Sequence, residues 1–417
     1  MESRIARPSK GTNMLTRRSN FLATAFISVV SLYLASNANA DQIYSFGHID
    51  DTTNRSAPAI NNNGVVAFIE GTNSSTSAIV ETGSGGTPTI IGDGTAAAQG
   101  VWINDSGQVA FSNNPSPGVT NAVRGSGGPL TVIGADILGL PAIDDSGNVT
   151  FSNGTFGIVG GLTTFGIFSG NGGALTTVLP TANSNVAQYP NKFANFAVSH
   201  NGIIAYQQYP SSSASSGQQV ITTQSGVHKV IATVATNPEA GISSLAVNNA
   251  GVVAIAGNLD FDDSGIFLGD GKTLTKAITS TTSFSVMGPA SINDLDQLAF
   301  QANFTNGAAF DGIYTGQDPV HDKVIQTGDA LGGSIVTALA FGNDALNNSG
   351  QVVFWAQLAN GTSGVYVATP IPEPSFAVLS LLVVGSVFLL RPLNRTSRGA
   401  VGLPCQTGRF PRGLLEI

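Results

Sequence analysis

Asparagine and aspartate recur in pairs a few residues before a glycine or its stand-in: Asn104-Asp105 before Gly107, Asp144-Asp145 before Gly147, Asn293-Asp294 before Asp296. Acidic loops of this kind could offer oxygen ligands to calcium. The same side chains also cap turns by bonding the local backbone. No copy ends in the bidentate Glu that an EF-hand-like loop needs, so turn capping is the preferred reading. Asp260, Asp262 and Asp263, followed by Gly265, are the metal candidates with the best local spacing, although a solvated loop accounts for them better. His48, His200, His228 and His321 show no H-E-x-x-H or paired spacing, so each is expected as a lone surface residue unless one faces a shared axis. Trp102 stands where the corresponding positions carry Ala59, Ala142, Ala197, Ala246, Ser291 and Ala345. Such a ring could stack on a glycan, but filling a gap between neighbouring repeat units is the preferred reading. Trp355, beside Phe354, reads as core.

Nucleophilic chemistry has little to build on. The sole cysteine is Cys405, G-x-S-x-G is absent, and the serine-rich stretch 211–217 reads as a flexible loop. The Gly-x-Gly strings fall between strands rather than before helices, which disfavours phosphate cradles. No catalytic residue and no cofactor is expected, and the chain is read as a non-enzyme. Acids gathered only by the fold, as in a glycosidase carboxylate pair, stay open.

The elements that position these residues repeat. AINNNGVVAF (59–68), WINDSGQVAF (102–111), AIDDSGNVTF (142–151), AVSHNGIIAY (197–206), AVNNAGVVAI (246–255), SINDLDQLAF (291–300) and ALNNSGQVVF (345–354) are seven copies of one unit, spaced about 48 residues apart. Each reads as strand, turn, strand: an apolar residue ends the first strand, Asn/Asp/Ser bond the turn, and Gly takes a φ > 0 position. The second strand alternates, with Val109 and Phe111 on one face and Ala110 on the other. A further pair of strands follows, clearest at 165–179, 264–278 and 311–325, giving four strands per repeat. The seventh copy ends at residue 370 one strand short, and Gln42 to Phe46 is one strand to spare. The expectation is an all-β, seven-bladed β-propeller over 41–370, closed by that N-terminal strand.

The ends differ from the body. Arg17 and Arg18, an apolar run from Phe21 to Leu34, and Ala38-Asn39-Ala40 before Asp41 predict a signal peptide over 1–40, read by signal peptidase. Residues 41–370 hold 7 basic against 22 acidic groups, a surface that repels phosphate backbones, so nucleic acid is not an expected partner. At the C-terminal end Pro372-Glu373-Pro374 precedes an apolar run, 376–390, followed by Arg391, Arg395 and Arg398. A helix there would be about 22 Å long, short for a hydrocarbon core of roughly 30 Å. Arginines at both ends favour the cytoplasmic face and place the body outside.

The tail, 371–398, resembles the PEP-CTERM sorting signal of bacterial exported proteins. That resemblance implies recognition by exosortase, cleavage near Pro372 to Pro374, a membrane-anchored precursor, and release to the cell surface or extracellular matrix. Residues 399–417 extend beyond the usual end of such tails. The tandem hairpin is similar to an uncharacterised bacterial surface family with a repeated Asn-x-x-Gly-x-x-x-Phe, matched here by Asn104, Gly107, Phe111 and by Asn347, Gly350, Phe354. This implies architecture, not an activity. The expected function is a non-enzymatic interaction module whose partner is a matrix polysaccharide or surface protein. The alternatives are a glycan-active lyase or hydrolase, or a lectin-like binder using Trp102.

Overall fold

The structure is a computed structural model that describes residues 43–71, 78–116, 118–156, 162–182, 195–208, 218–234, 241–259, 264–280, 284–305 and 309–371. The chain divides into two compact units, Met1–Ile371 and Pro372–Ile417, and all described residues belong to the first. The signal segment with Ala38, Ala40 and Asp41 lies outside the described residues, as do Asp260, Asp262 and Asp263 and the tail with Pro372, Glu373, Pro374, Arg391 and Arg395. No helix among the described residues is long and apolar enough to cross a membrane.

The strands form a seven-bladed β-propeller. Blade 1 comprises Ala59–Ile60, Val66–Glu70, Ala78–Gly83 and the first part of Thr89–Ile103. That 15-residue strand runs on to begin blade 2, which adds Val109–Ser116, Val119–Gly125 and Thr131–Gly134. Blade 3 spans Ile137–Ile143 to Thr176–Ala182, blade 4 Phe196–Val198 to Val227–Thr233, blade 5 Gly241–Val247 to Leu274–Thr279, and blade 6 Phe284–Ile292 to Lys323–Gln326. Blade 7 takes Ser334–Ala340, Val352–Leu358 and Ser363–Pro370, and its fourth strand is Tyr44–Asp51 from the other end of the described chain. That strand pairs antiparallel from Tyr44↔Pro370 to Asp51↔Gly364. The spare strand is therefore real, and it extends five residues past Phe46.

The hairpin strands depart from a half-exposed alternation. Val109, Ala110 and Phe111 are all fully buried, because a blade is covered on both faces by its neighbours. Alternation survives as size. Val109 and Phe111 pack with Ala67, Ile69 and Val80 of blade 1, whereas Ala110 and Ala122 receive Val149 and Phe151 of blade 3. The pattern recurs where Ala246, Ala254 and Ala256 of blade 5 meet Phe284 and Phe300 of blade 6. Blades 2 and 5 thus present a large face backward and a small face forward, and each buried Phe is worth about 1.5–3 kcal/mol by area. Trp355 is core, with Nε1–H donating to the Thr52 carbonyl at 2.9 Å, which ties the closing segment to blade 7.

The hairpin turns behave as predicted. Gly64, Gly107, Gly147, Gly202, Gly251 and Gly350 all have positive φ, and Asp296 adopts φ 59° in the sixth copy.

Candidate functional site

The seven turns gather around the axis on one face. The first Asn of a turn does two jobs: Asn104 Oδ1 accepts from Gln108 N at 2.8 Å, while its Nδ2 donates to the Asp144 carbonyl of the next blade at 2.9 Å. Asn61 donates likewise to the Asn104 carbonyl, Asn248 to Asn293, Asn293 to Asn347, and Asn347 to Asn61, which closes the circle. The second turn residue adds another rung. Its side chain accepts the backbone N–H of the preceding blade's second residue, as Asp105 does from Asn62 at 2.8 Å and Asp145 from Asp105 at 2.9 Å. Blades 3 and 4 depart from the pattern, because Asp144 has no amide and Ser199 is short. There Asp145 N–H donates to the His200 carbonyl, and Asn201 bonds Asn249 through both backbone and side chain. The turn Asn/Asp residues are caps, as expected, and also the fasteners of the ring.

One consequence reverses an expectation. His200 is not a lone surface residue: its Nδ1 lies 3.4 Å from Asp105 Oδ1 and 3.3 Å from Asp145 Oδ1, and Nε2 lies 3.8 Å from Asp344 Oδ1. Its side chain is 18% exposed. Burial alone would lower its pKa, but Asp344 first and then Asp105 and Asp145 outweigh that and raise it to about 9. At 3.8 Å the contact with Asp344 is an ion pair rather than a hydrogen bond, so charge is the cause of the rise. His228 bonds Tyr206, while His48 and His321 pair with nearby Asp51 and Asp318 at the surface.

Asp344 belongs to a bulge of blade 7 that turns into the axis. Its carbonyl accepts Ile60 N–H at 2.9 Å and its Oδ2 accepts Ile103 N–H at 3.2 Å, while Asn343 Nδ2 donates across to the Leu245 carbonyl. Trp102 packs against three core clusters that together span blades 2 to 5, which it reaches only by lying across the axis. Trp102, Asn343 and Asp344 thus plug the channel, with a cavity on either side. On the turn side a polar cavity of about 30 Å³ adjoins His200, Asp294 and Asn348. On the opposite side a wider funnel of about 360 Å³ is lined by Trp102, Leu138, Leu140, Phe196, Phe341 and Asn343 among others. Neither sequence reading of Trp102, the preferred gap-filler between neighbours or the alternative exposed platform, is complete, since the ring is the floor of the funnel and still part-exposed.

The repeat column that holds Asn62, Asp105, Asp145, His200, Asn249, Asp294 and Asn348 was visible in the alignment, and that signal could have found the cluster. The sequence profile of a family of unknown function, DUF7453, matches residues 103–348 and 337–378. The chain belongs to DUF7453. No curated protein matches the chain in sequence. Among solved structures, this DUF7453 chain is similar to the Pyrococcus horikoshii acylaminoacyl peptidase, at TM-score 0.51 and 10% identity over 81% of this chain and 54% of that one. It therefore spans about half the length of that peptidase. It is also similar to the β-propeller domain of the Trilobed protease from Pyrococcus furiosus, of open velcro topology (TM-score 0.48, 12% identity, 80% of this chain and 99% of that), and to the polysaccharide lyase Uly1 (TM-score 0.44, 9% identity, 77% and 91%). At such identities these likenesses concern the fold.

Proposed function

We propose that this DUF7453 protein is exported by its N-terminal signal, sorted through its Pro-Glu-Pro tail by exosortase, and displayed at the cell surface or in the extracellular matrix as a non-enzymatic interaction module. The observation that carries the binding part is the axial funnel: about 360 Å³, floored by Trp102 and lined by Leu138, Leu140, Phe196 and Phe341 together with Asn195 and Asn343. An indole face beside asparagine side chains suits the apolar face and hydroxyls of a sugar. With 22 acidic against 7 basic groups in the body, an uncharged polymer is a better occupant than a polyanion. The tail motif and the basic, apolar N-terminus support the export reading, by resemblance and by pattern.

The test uses the two tryptophans. Trp355 is buried, so a change in fluorescence on adding neutral oligosaccharides reports Trp102. Saturable quenching in the parent, together with calorimetric binding that is lost in Trp102→Ala, is the expected result; an unchanged parent spectrum, or equal calorimetric binding by the variant, refutes the funnel as the site. For sorting, Glu373→Ala is expected to leave a membrane-bound precursor by intact mass, and undiminished release would refute it.

A second reading, a glycan-active enzyme, draws on the convergence of Asp105, Asp145, His200 and Asp344. It predicts polymer cleavage that stops in Asp344→Asn, while the module reading predicts binding with no new chain ends.

A further inference from the structure

Asp105, Asp145 and His200 hold the same turn position in three consecutive blades, and ring closure stands them side by side. The 3.3 and 3.4 Å separations from His200 Nδ1 are longer than a charge-assisted hydrogen bond of about 2.7–2.9 Å. They suit donors arranged around a common ion: ligands about 2.0–2.2 Å from zinc stand roughly 3.0–3.5 Å apart. All three donor atoms lie within 4.8 Å of one another. A second observation concerns the ring nitrogen between the two acids, which must give up its proton to solvent when a cation takes its lone pair. His200 Nδ1 is enclosed and makes no hydrogen bond, a costly state for a buried ring nitrogen unless something else takes its lone pair or proton. Behind the ring, Asp344 faces Nε2, the place from which a carboxylate orients a metal-ligating imidazole.

We propose that Asp105, Asp145 and His200 Nδ1 bind one divalent cation of the zinc type, with Asp344 orienting the imidazole and water completing the coordination. An imidazole with two carboxylates selects Zn²⁺ or Mn²⁺ over Ca²⁺, which takes oxygen ligands. The bound ion cross-links blades 2, 3 and 4 on the turn face, at the two junctions adjoining the turns whose leading residue, Asp144 or Ser199, has no amide to donate. The proposal stands apart from the funnel and from the export reading.

The test exploits the ring itself. Asn62, Asn249 and Asn348 fill this position in blades 1, 5 and 7, where Asn62 and Asn348 accept the same inter-blade bond and Asn249 accepts one from Asn201 N–H, so Asp105→Asn, Asp145→Asn and His200→Asn together keep a side chain the fold already uses there. The full-length chain is stripped with chelator and titrated calorimetrically with ZnCl₂, MnCl₂ and CaCl₂. Expected are one zinc per chain at micromolar affinity or tighter, weaker calcium, and a rise in the thermal midpoint with zinc. The triple variant, shown by circular dichroism to keep its fold, is expected to lose more than about 100-fold in affinity, and Asp344→Asn about 10–100-fold. Absence of saturable binding below about 1 mM, about 4 kcal/mol of binding free energy, overturns the proposal. So does unchanged zinc affinity in a folded triple variant, or calcium bound more tightly than zinc.

Discussion

The ring is held by single amides, and Asn347 shows what one residue supports. Its Oδ1 accepts Ser349 N–H and Gln351 N–H, and its Nδ2 donates to the Asn61 carbonyl and to Gln351 Oε1, all in a buried site. Aspartate would keep the cap but lose both donated bonds and point a carboxylate at a carbonyl. Asn347→Ala is expected to lower the unfolding free energy by about 1–3 kcal/mol, and Asn347→Asp is expected to lower it by a comparable amount, measured by urea unfolding. A neutral Asn347→Asp would show that the cap, not the bond to blade 1, is what matters. The residue scale is also where sequence reading was least complete. Local patterning identified the Asn/Asp residues as caps, because capping is decided within five residues. It could not supply their second partners, which lie 40 to 54 residues away at successive blades and 286 away at the closure.

Within a hairpin, backbone conformation and face packing separate cleanly. Gly107 has φ 75°, and a Cβ added there meets nothing within 4 Å, so the cost of a side chain is conformational alone. Gly107→Ala is expected to cost about 1–2 kcal/mol. Asp296→Gly removes a similar penalty but also loses the 2.7 Å bond from Asn248 Nδ2, so its net effect is expected to stay within about 1 kcal/mol. Urea midpoints of the two variants check both values, and a Gly107→Ala midpoint equal to the parent's would contradict the conformational account. The four-strand repeat, the turn geometry and the strand missing from the seventh repeat were all legible, because strand–turn–strand patterning is a local property with period two. The burial of both faces was not, because an alanine reads as a neutral filler until a neighbouring phenylalanine is seen to sit on it.

The seventh blade is completed by one strand from the other end of the propeller. Tyr44–Asp51 covers the edge of Ser363–Pro370, and Phe46 meets the Phe354 ring edge-on at 6.2 Å. A variant lacking residues 44–51 leaves that edge open, and an open edge pairs with other chains. The expected outcome is a lower thermal midpoint with self-association on size-exclusion chromatography; a monomer of parental stability would mean that the polar ring alone holds blades 7 and 1 together. The sequence by itself determined the blade count, the turn types, the closing strand and the acidic balance of the body, because each is written in contiguous or regularly spaced residues. Only the tertiary structure decided which turn residues meet. Bending the repeats into a circle converts one alignment column into a ring of neighbours, so Asp105, Asp145 and His200, harmless apart, share one small volume. The axial plug was decided there too, since Trp102 and the Asn343-Asp344 bulge are exceptions to the repeat whose purpose appears only where seven blades converge.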